Sequence, residues 1–355
     1  MIGKEPGSAN EGDRTAGEAA EIRIRPVAAG DFDALRSLYR DVWKGERDVR
    51  YDRMRFHEPY HDLGPVGSVA DTGSELAAFY MIWPVQLTDG SRVVTGGQSI
   101  DTMTGNAFQG RGLFTRLARQ CYRQCADQGM SILYGAPNKE SAPGFERRLS
   151  WAAPTTIRTL VRPLSATGAM PLASVANAVL RAWPSGRRSR ARIVHDRPSD
   201  ADLAACLAAN TPPRGTWRVH RTPRWYDFRY QPAGRFDYRW CCIHDGQSLA
   251  AFAIWALSLE AGGRLRRANL VDVIGPTAEL RNAAVSAACT AAAAHANFIS
   301  VVSTSAARQR ELRAAGFVPV AKSPLIARTL DAESFDANPF QADGWDLIGG
   351  DFDFT

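Results

Sequence analysis

The sequence has no apolar run approaching the ~18 residues of a membrane-spanning helix. Its N-terminus also lacks a basic start followed by an apolar stretch, the mark of an export signal. Both absences predict a cytoplasmic chain with no membrane partner. Cysteine is scarce, six in 355 residues, and without an export signal the six read as reduced thiols and not as a disulfide framework. Cys121 and Cys125 stand four apart on a predicted helix, but no His or further Cys completes a ligand set, so they read as small core residues. Cys241 and Cys242, in a strand-like run, read the same way, and no metal is expected. No nucleic-acid-binding module is present either. The net charge of +6 is spread along the chain except for the cluster Arg187 to Arg192. A dispersed excess suits a small polyanion at least as well as nucleic acid, and no nucleic-acid partner is expected.

What is there describes a folded protein: 45% hydrophobic residues, 23% charged and nine Trp. A length of 355 residues exceeds the ~250 to 300 at which single cores stop growing, which predicts two domains. Residues 1–20 hold almost no large apolar side chain and read as a disordered tail. From there the pattern predicts a strand at Ile22 to Arg25, a helix carrying Phe32, Leu35, Leu38 and Trp43, and extended runs at Gly67 to Ala70, Glu75 to Val85 and Arg92 to Thr104. A helix from Gly112 to about Gln128, a strand at Ile132 to Tyr134 and a helix at Pro143 to Leu149 follow. Residues 165–192, with a short apolar helix at Leu172 to Trp183, read as a linker. A second set of strands and helices occupies 193–330 and repeats the element order of 21–164. The segment 331–355 carries Phe335, Phe340, Trp345, Leu347 and Phe352, more apolar surface than a tail requires, and is expected to pack on the body.

The segment Ser99 to Phe114 carries the chemistry. A strand runs into a loop with Gly105, Gly110 and Gly112 and then directly into a helix. Such a loop turns backbone N–H groups inward, and the new helix offers unpaired amides and the positive end of its dipole. A pyrophosphate fits there, although glycine also serves plain tight turns.

Gln109-Gly110-Arg111-Gly112-Leu113 resembles the (Arg/Gln)-x-x-Gly-x-(Gly/Ala) pyrophosphate loop of the GNAT acetyltransferases, between a strand and a helix as in that family. Tyr134 to Phe145, ending in Leu149-Ser150-Trp151, is similar to the family's next strand and helix. The resemblance covers about residues 21–164. The second half is similar in element order and in Leu312 to Phe317, but Gly275-Pro276-Thr277-Ala278 offers no pyrophosphate loop. The fold implied is mixed α/β: two GNAT-like domains, each a twisted, mostly antiparallel sheet flanked by helices. The resemblance also implies acetyl-CoA as co-substrate. Met103 and Thr104 would contact its pantetheine arm through the main chain, Gln109, Gly110, Arg111, Gly112, Leu113 and Phe114 would hold the pyrophosphate, and Asn138 would lie near the thioester. Three departures stand out: Phe114 where Gly or Ala is usual, Ser150 for the usual Gly, and Phe145 or Glu146 where a thiolate-protonating Tyr often stands.

The chemistry asks for an amine freed of its proton, a donor for the carbonyl oxygen and an outlet for the thiolate. Asp101, three residues before Thr104, is the first candidate base, with a salt-bridged carboxylate as the equal alternative. Glu140 is the second, or else stabilises a helix N-terminus. His57 and His61 lie where acceptor pockets are commonly built, and read first as surface or packing residues. The acceptor is a small-molecule amine. Similarity to a two-domain subgroup associated with surface polysaccharide biosynthesis suggests an amino sugar; an amino acid, a peptide or an aminoglycoside remains open, as does a CoA-binding module whose catalysis has lapsed. Arg221, Arg224, Trp225, Tyr226 and Arg229 face either an anionic acceptor or the core.

Overall fold

The computed structural model describes residues 21–57, 63–64, 66–165, 192–230, 236–257, 266–331 and 338–352. The expected tail 1–20, the helix expected at Leu172 to Trp183, His61 and the side chain of His57 lie outside the described residues.

The first half begins with β1 (Arg23–Pro26), α1 (Phe32–Trp43), α2 (Val49–His57), β2 (Val66–Asp71), β3 (Leu76–Thr88) and β4 (Val93–Thr104). β1 to β4 form an antiparallel meander in chain order. β3 is buried along nearly its whole length, as befits a near-continuous apolar run covered on both faces. α1 buries Leu35 and Leu38, three apart on one face. α3 (Leu113–Asp127) then carries the chain over the sheet to β5 (Ile132–Gly135), which pairs parallel with β4, a pairing that requires such a crossover. Leu113, Leu117, Ala118, Cys121, Tyr122 and Cys125 make the buried stripe of α3. α4 (Ala142–Leu149) and β6 (Ala152–Pro163) complete this half.

The second half contains β7 (Arg192–Val194), α5 (Asp200–Ala208), β8 (Arg218–Val219), α6 (Pro223–Arg229), β9 (Asp237–Asp245), β10 (Ser248–Leu257), β11 (Arg267–Ile274), α7 (Ala278–Ala292), β12 (Phe298–Ser303), α8 (Ala306–Ala314) and β13 (Val318–Thr329). Among the described strands all pairings are antiparallel except β4 with β5 and β11 with β12. The mixed α/β class and the mostly antiparallel sheet flanked by helices are as the sequence predicts.

Where two sheets were expected, the strands form one continuous sheet in the order β1-β2-β3-β4-β5-β13-β6-β12-β11-β10-β9-β7, with β8 on β3. The halves exchange their closing strands: β13, late in the chain, bonds to β5, and β6 bonds to β12. The sheet therefore runs unbroken across the expected 164/193 boundary. β13 contains Pro319 and Pro324, which cannot donate to a ladder; both lie where β13 is paired with β6 alone, whereas Ile326 and Ala327, paired on both sides or at its margin, are not proline. All six cysteines are buried free thiols.

Residues 345–352 of the C-terminal segment are built into the core. Trp345, Leu347, Ile348 and Phe352 are fully buried. The Trp345 indole donates to the Pro339 carbonyl at 2.8 Å, its own carbonyl accepts from the Thr304 hydroxyl at 2.8 Å, and its ring lies 6.1 Å from that of Trp217. Arg308 pairs with Asp346 at 2.9 Å. Trp345→Ala is expected to destabilise the chain by about 3–5 kcal/mol, through lost burial and a cavity, read as a lower midpoint in denaturant unfolding.

Candidate active-site cleft

β4 and β5 are bonded only from Gly96↔Ile132 to Ser99↔Gly135. Beyond that point β5 turns towards α4 and the outer edge of β4 carries no strand among the described residues. Within this free stretch β4 bulges: Phe79 faces Met103 and Met81 faces Ile100, so Asp101 and Thr102 together oppose Tyr80. Asp101 takes the left-handed conformation there, φ 46°, which an Asp side chain tolerates better than most.

The strand ends in Gly105, whose N–H donates to the Ala77 carbonyl, and a short turn, Asn106–Phe108, leads to the glycine loop. Gly110 and Gly112 have φ of 76° and 69°, and a Cβ added at either would meet nothing within 4 Å. The space above this loop is open. Gly112 caps α3 without a side chain, so the first-turn amides, which have no intrahelical acceptor, face that space with the positive end of the helix dipole. Arg111 is exposed, its guanidinium 5.3 Å from the Phe108 ring centroid. Gln109 is exposed and donates to Asn106. Open glycines, free amides and a nearby cation fit a pyrophosphate. Phe114 turns inward, its ring 5.1 Å from Phe145 and 6.1 Å from Tyr80, so it offers its amide and not its ring.

Between α1, β4 and the start of α4 lies a cleft of about 380 Å³, lined by Tyr39, Trp43, Arg47, Tyr51, Gln98 to Thr102, Gly135 to Asn138, Ser141, Phe145 and Ile326. Met103 is buried and Thr104 half-buried, so Met103 meets a ligand through its main chain alone. Asn138 stands at the cleft, its side-chain oxygen accepting from the Ser141 amide and hydroxyl, both at 2.8 Å, which orders the turn into α4. Asp101 lines the cleft, but its two oxygens are held by the Arg47 guanidinium at 2.6 and 3.0 Å. That pair is the salt-bridged alternative of the sequence reading, and as a base Asp101 would have to release Arg47. Glu140 is exposed and outside the cleft lining. Phe145 is buried against the cleft, and Glu146 is exposed and away from it, so neither supplies an acid. In the sequence Trp43 reads only as an apolar helix position, and nothing there marks Arg47 or Tyr51. Arg47 meets Asp101 from 54 residues away, a contact no local pattern signals.

The second half has the same strand divergence, closed off. β11 and β12 pair only from Arg267↔Phe298 to Asn269↔Ser300. The C-terminal segment fills the gap beyond: Ile348 bridges Ser303, the Thr304 amide donates to the Leu347 carbonyl, and a Cβ on Gly350 would lie 3.0 Å from the Val271 carbonyl oxygen. α7 is capped by the Thr277 hydroxyl, which accepts from the Leu280 amide. Arg221 and Arg229 serve this segment, correcting the alternative that they face an anionic acceptor. Both are buried; Arg221 bonds Asp272 at 3.0 Å and Asp351 at 2.8 Å, and Arg229 bonds the Gly350 and Phe352 carbonyls at 2.8 Å. A larger cavity of about 830 Å³, walled by Tyr226, Tyr238, Trp240, Trp255 and His295, lies by β9 and β10. It meets α7 near its C-terminal end, the wrong pole for a phosphate, so the smaller cleft is the better candidate.

Residues 23–153 match the family model of the GNAT acetyltransferase domain. No curated protein matches the chain in sequence. Among solved structures, an Enterococcus faecalis protein, "Probable N-Acyltransferase", superposes with a TM-score of 0.65 at 11% identity, covering 88% of this chain and 73% of that one. GCN5-related N-acetyltransferases from Anabaena variabilis (TM-score 0.61, 11% identity, 87% and 73% covered) and Kribbella flavida (TM-score 0.61, 15% identity, 89% and 73% covered) share the fold. The sequence likeness to the GNAT acetyltransferase domain is confined to residues 23–153, and the solved structures extend a likeness of fold over most of the chain.

Proposed function

We propose that the protein is an acetyl-CoA-dependent N-acetyltransferase acting on a primary amine. The observation that carries this reading is the conjunction of the open Gly110–Gly112 loop at the start of α3 with the free edge of β4 beside the cleft. Amides of Gly112 to Thr115 and the Arg111 guanidinium would hold the pyrophosphate. Main-chain groups of Met103 and Thr104 would align the pantetheine arm along β4 as an added strand would be aligned. Acetyl-CoA supplies the activated acyl group. The cleft residues orient the acceptor, keep water from the thioester and leave the amine proton a path to solvent or to a carboxylate.

The acceptor we infer is an amino sugar, of the kind used in surface polysaccharides. Tyr39 and Trp43 are 6.5 Å apart at the cleft, with the Arg47–Asp101 pair beside them. Aromatic faces suit the C–H faces of a sugar ring, and a charged pair suits its hydroxyls. The test is thiol release from acetyl-CoA by the full chain against amino sugars, amino acids, peptides and aminoglycosides. Turnover fastest with amino sugars is expected. Turnover confined to another amine class would overturn the acceptor, and none with any amine would leave a CoA-binding module.

A further inference from the structure

Ser99 is the last β4 residue bonded to β5, lines the cleft and is half-buried. An extended arm lying on the free edge of β4 from the α3 N-terminus must end where β5 begins to occupy that edge. From Thr104 to Ser99, across the bulge, β4 advances the four positions from Ala78 to Ile82 on β3, roughly 13 Å, a span an extended pantetheine arm can cover. Resting on the proposed function, this places the sulfur beside Ser99.

Behind Ser99 runs a chain of buried hydrogen bonds. The Trp151 indole N–H lies 2.8 Å from the Tyr122 hydroxyl, which lies 3.2 Å from the Tyr80 hydroxyl, which lies 2.8 Å from Ser99 Oγ. An indole only donates, so Tyr122 accepts from Trp151. If Tyr122 then donates to Tyr80 and Tyr80 donates to Ser99, every buried proton has an acceptor and only the Ser99 proton, at the cleft, is left over. In the reverse direction the Tyr122 proton would be stranded inside, at a cost of about 1–3 kcal/mol. Desolvation by burial raises both phenols well above their ordinary range. They stay protonated and act as donors.

We propose that the Trp151–Tyr122–Tyr80 chain points the Ser99 hydroxyl proton into the cleft as the hydrogen-bond donor for the departing CoA sulfur. This fills the place that neither Phe145 nor Glu146 serves. As the acceptor nitrogen forms its bond to the acyl carbon, the C–S bond breaks and its electron pair remains on sulfur. Ser99 Oγ–H donates a hydrogen bond to that thiolate without giving up its proton, and the amine proton leaves to solvent. Ser99 is thus a catalytic residue, and Tyr80 a positioning residue acting through it.

The experiment is ultraviolet titration of the thiol of CoA bound to the full chain, in wild type, Ser99→Ala and Tyr80→Phe, with CoA affinity measured alongside. In wild type the bound thiol is expected to ionise at least tenfold more readily than in Ser99→Ala, with Tyr80→Phe between them, while CoA affinity changes less than about threefold. The kcat of Ser99→Ala should fall about 10- to 100-fold with little change in KM for acetyl-CoA. If CoA binds all three equally and its thiol titrates alike in each, the inference is overturned and the cofactor site stands. Failure of wild type to bind CoA would overturn both.

Discussion

A Gly112→Trp chain is expected to lose acetyl-CoA binding by at least ~100-fold while remaining folded. The size follows from what the indole displaces: the space above the first turn of α3, where several amides would make charge-assisted bonds worth about 1.5–3 kcal/mol each. Retention of the fold follows from the loop itself, since a Cβ at Gly112 meets nothing within 4 Å. The left-handed φ of 69° adds strain of about 1–2 kcal/mol for any side chain. Gly112→Ala separates the effects, because it carries the same strain without filling the space and should keep most of the affinity. Calorimetric titration with a thermal melt of each variant checks the result. Wild-type affinity in Gly112→Trp would move the phosphate elsewhere.

Arg221→Ala is expected to cost about 3–5 kcal/mol of stability, since removing one partner of a buried ionic cluster leaves uncompensated charge. Arg221 is enclosed between Asp272 and Asp351, both fully or almost fully buried. Burial pushes Asp351 up to about 6 against the pull of Arg221, and the neighbouring Asp272 adds to the rise. A carboxyl raised in the folded state favours folding when protonated, and this contribution is lost as pH rises from the unfolded value of about 3.9 through about 6. Without the guanidinium the Asp351 carboxyl should rise further. The destabilisation of Arg221→Ala should therefore be largest near neutral pH and shrink in acid, read from denaturant midpoints at several pH values. The consequence extends to β5, because the Asp351 carbonyl accepts from the Tyr134 hydroxyl at 2.6 Å.

The parts of the molecule that the sequence makes legible are those set by neighbours in the chain. The strand, glycine loop and helix from Ser99 to Phe114 are written in turn chemistry and periodicity over sixteen positions, and β4 and α3 form where they were expected. β6 and β13 were not recognised, because Pro154, Pro319 and Pro324 read as strand breakers when the pairing partner is unknown. α2 escaped notice because Val49 to His57 has no clear apolar period. The continuous sheet depends on β13 meeting β5 from nearly two hundred residues away, which no local pattern encodes. The same distance hides the cleft's polar contacts. Asp101 was visible as a candidate, but its Arg47 partner was not, and Arg221 was visible as one of a cationic run without the two carboxylates that bury it. Ser99 stood at the start of the informative segment with nothing local to mark it; its role is inferred from Tyr80, nineteen residues earlier.

We infer that acetyl-CoA binds along β4 with its pyrophosphate on α3, and only in the first half. Amide hydrogen exchange of the full chain with and without acetyl-CoA reads this out. Slowed exchange is expected at Met103 to Thr115 and around Ala136 to Asn138, with no change over β11 and the start of α7. Protection confined to residues 267–280, or absent from the Gly110–Thr115 amides, would contradict it.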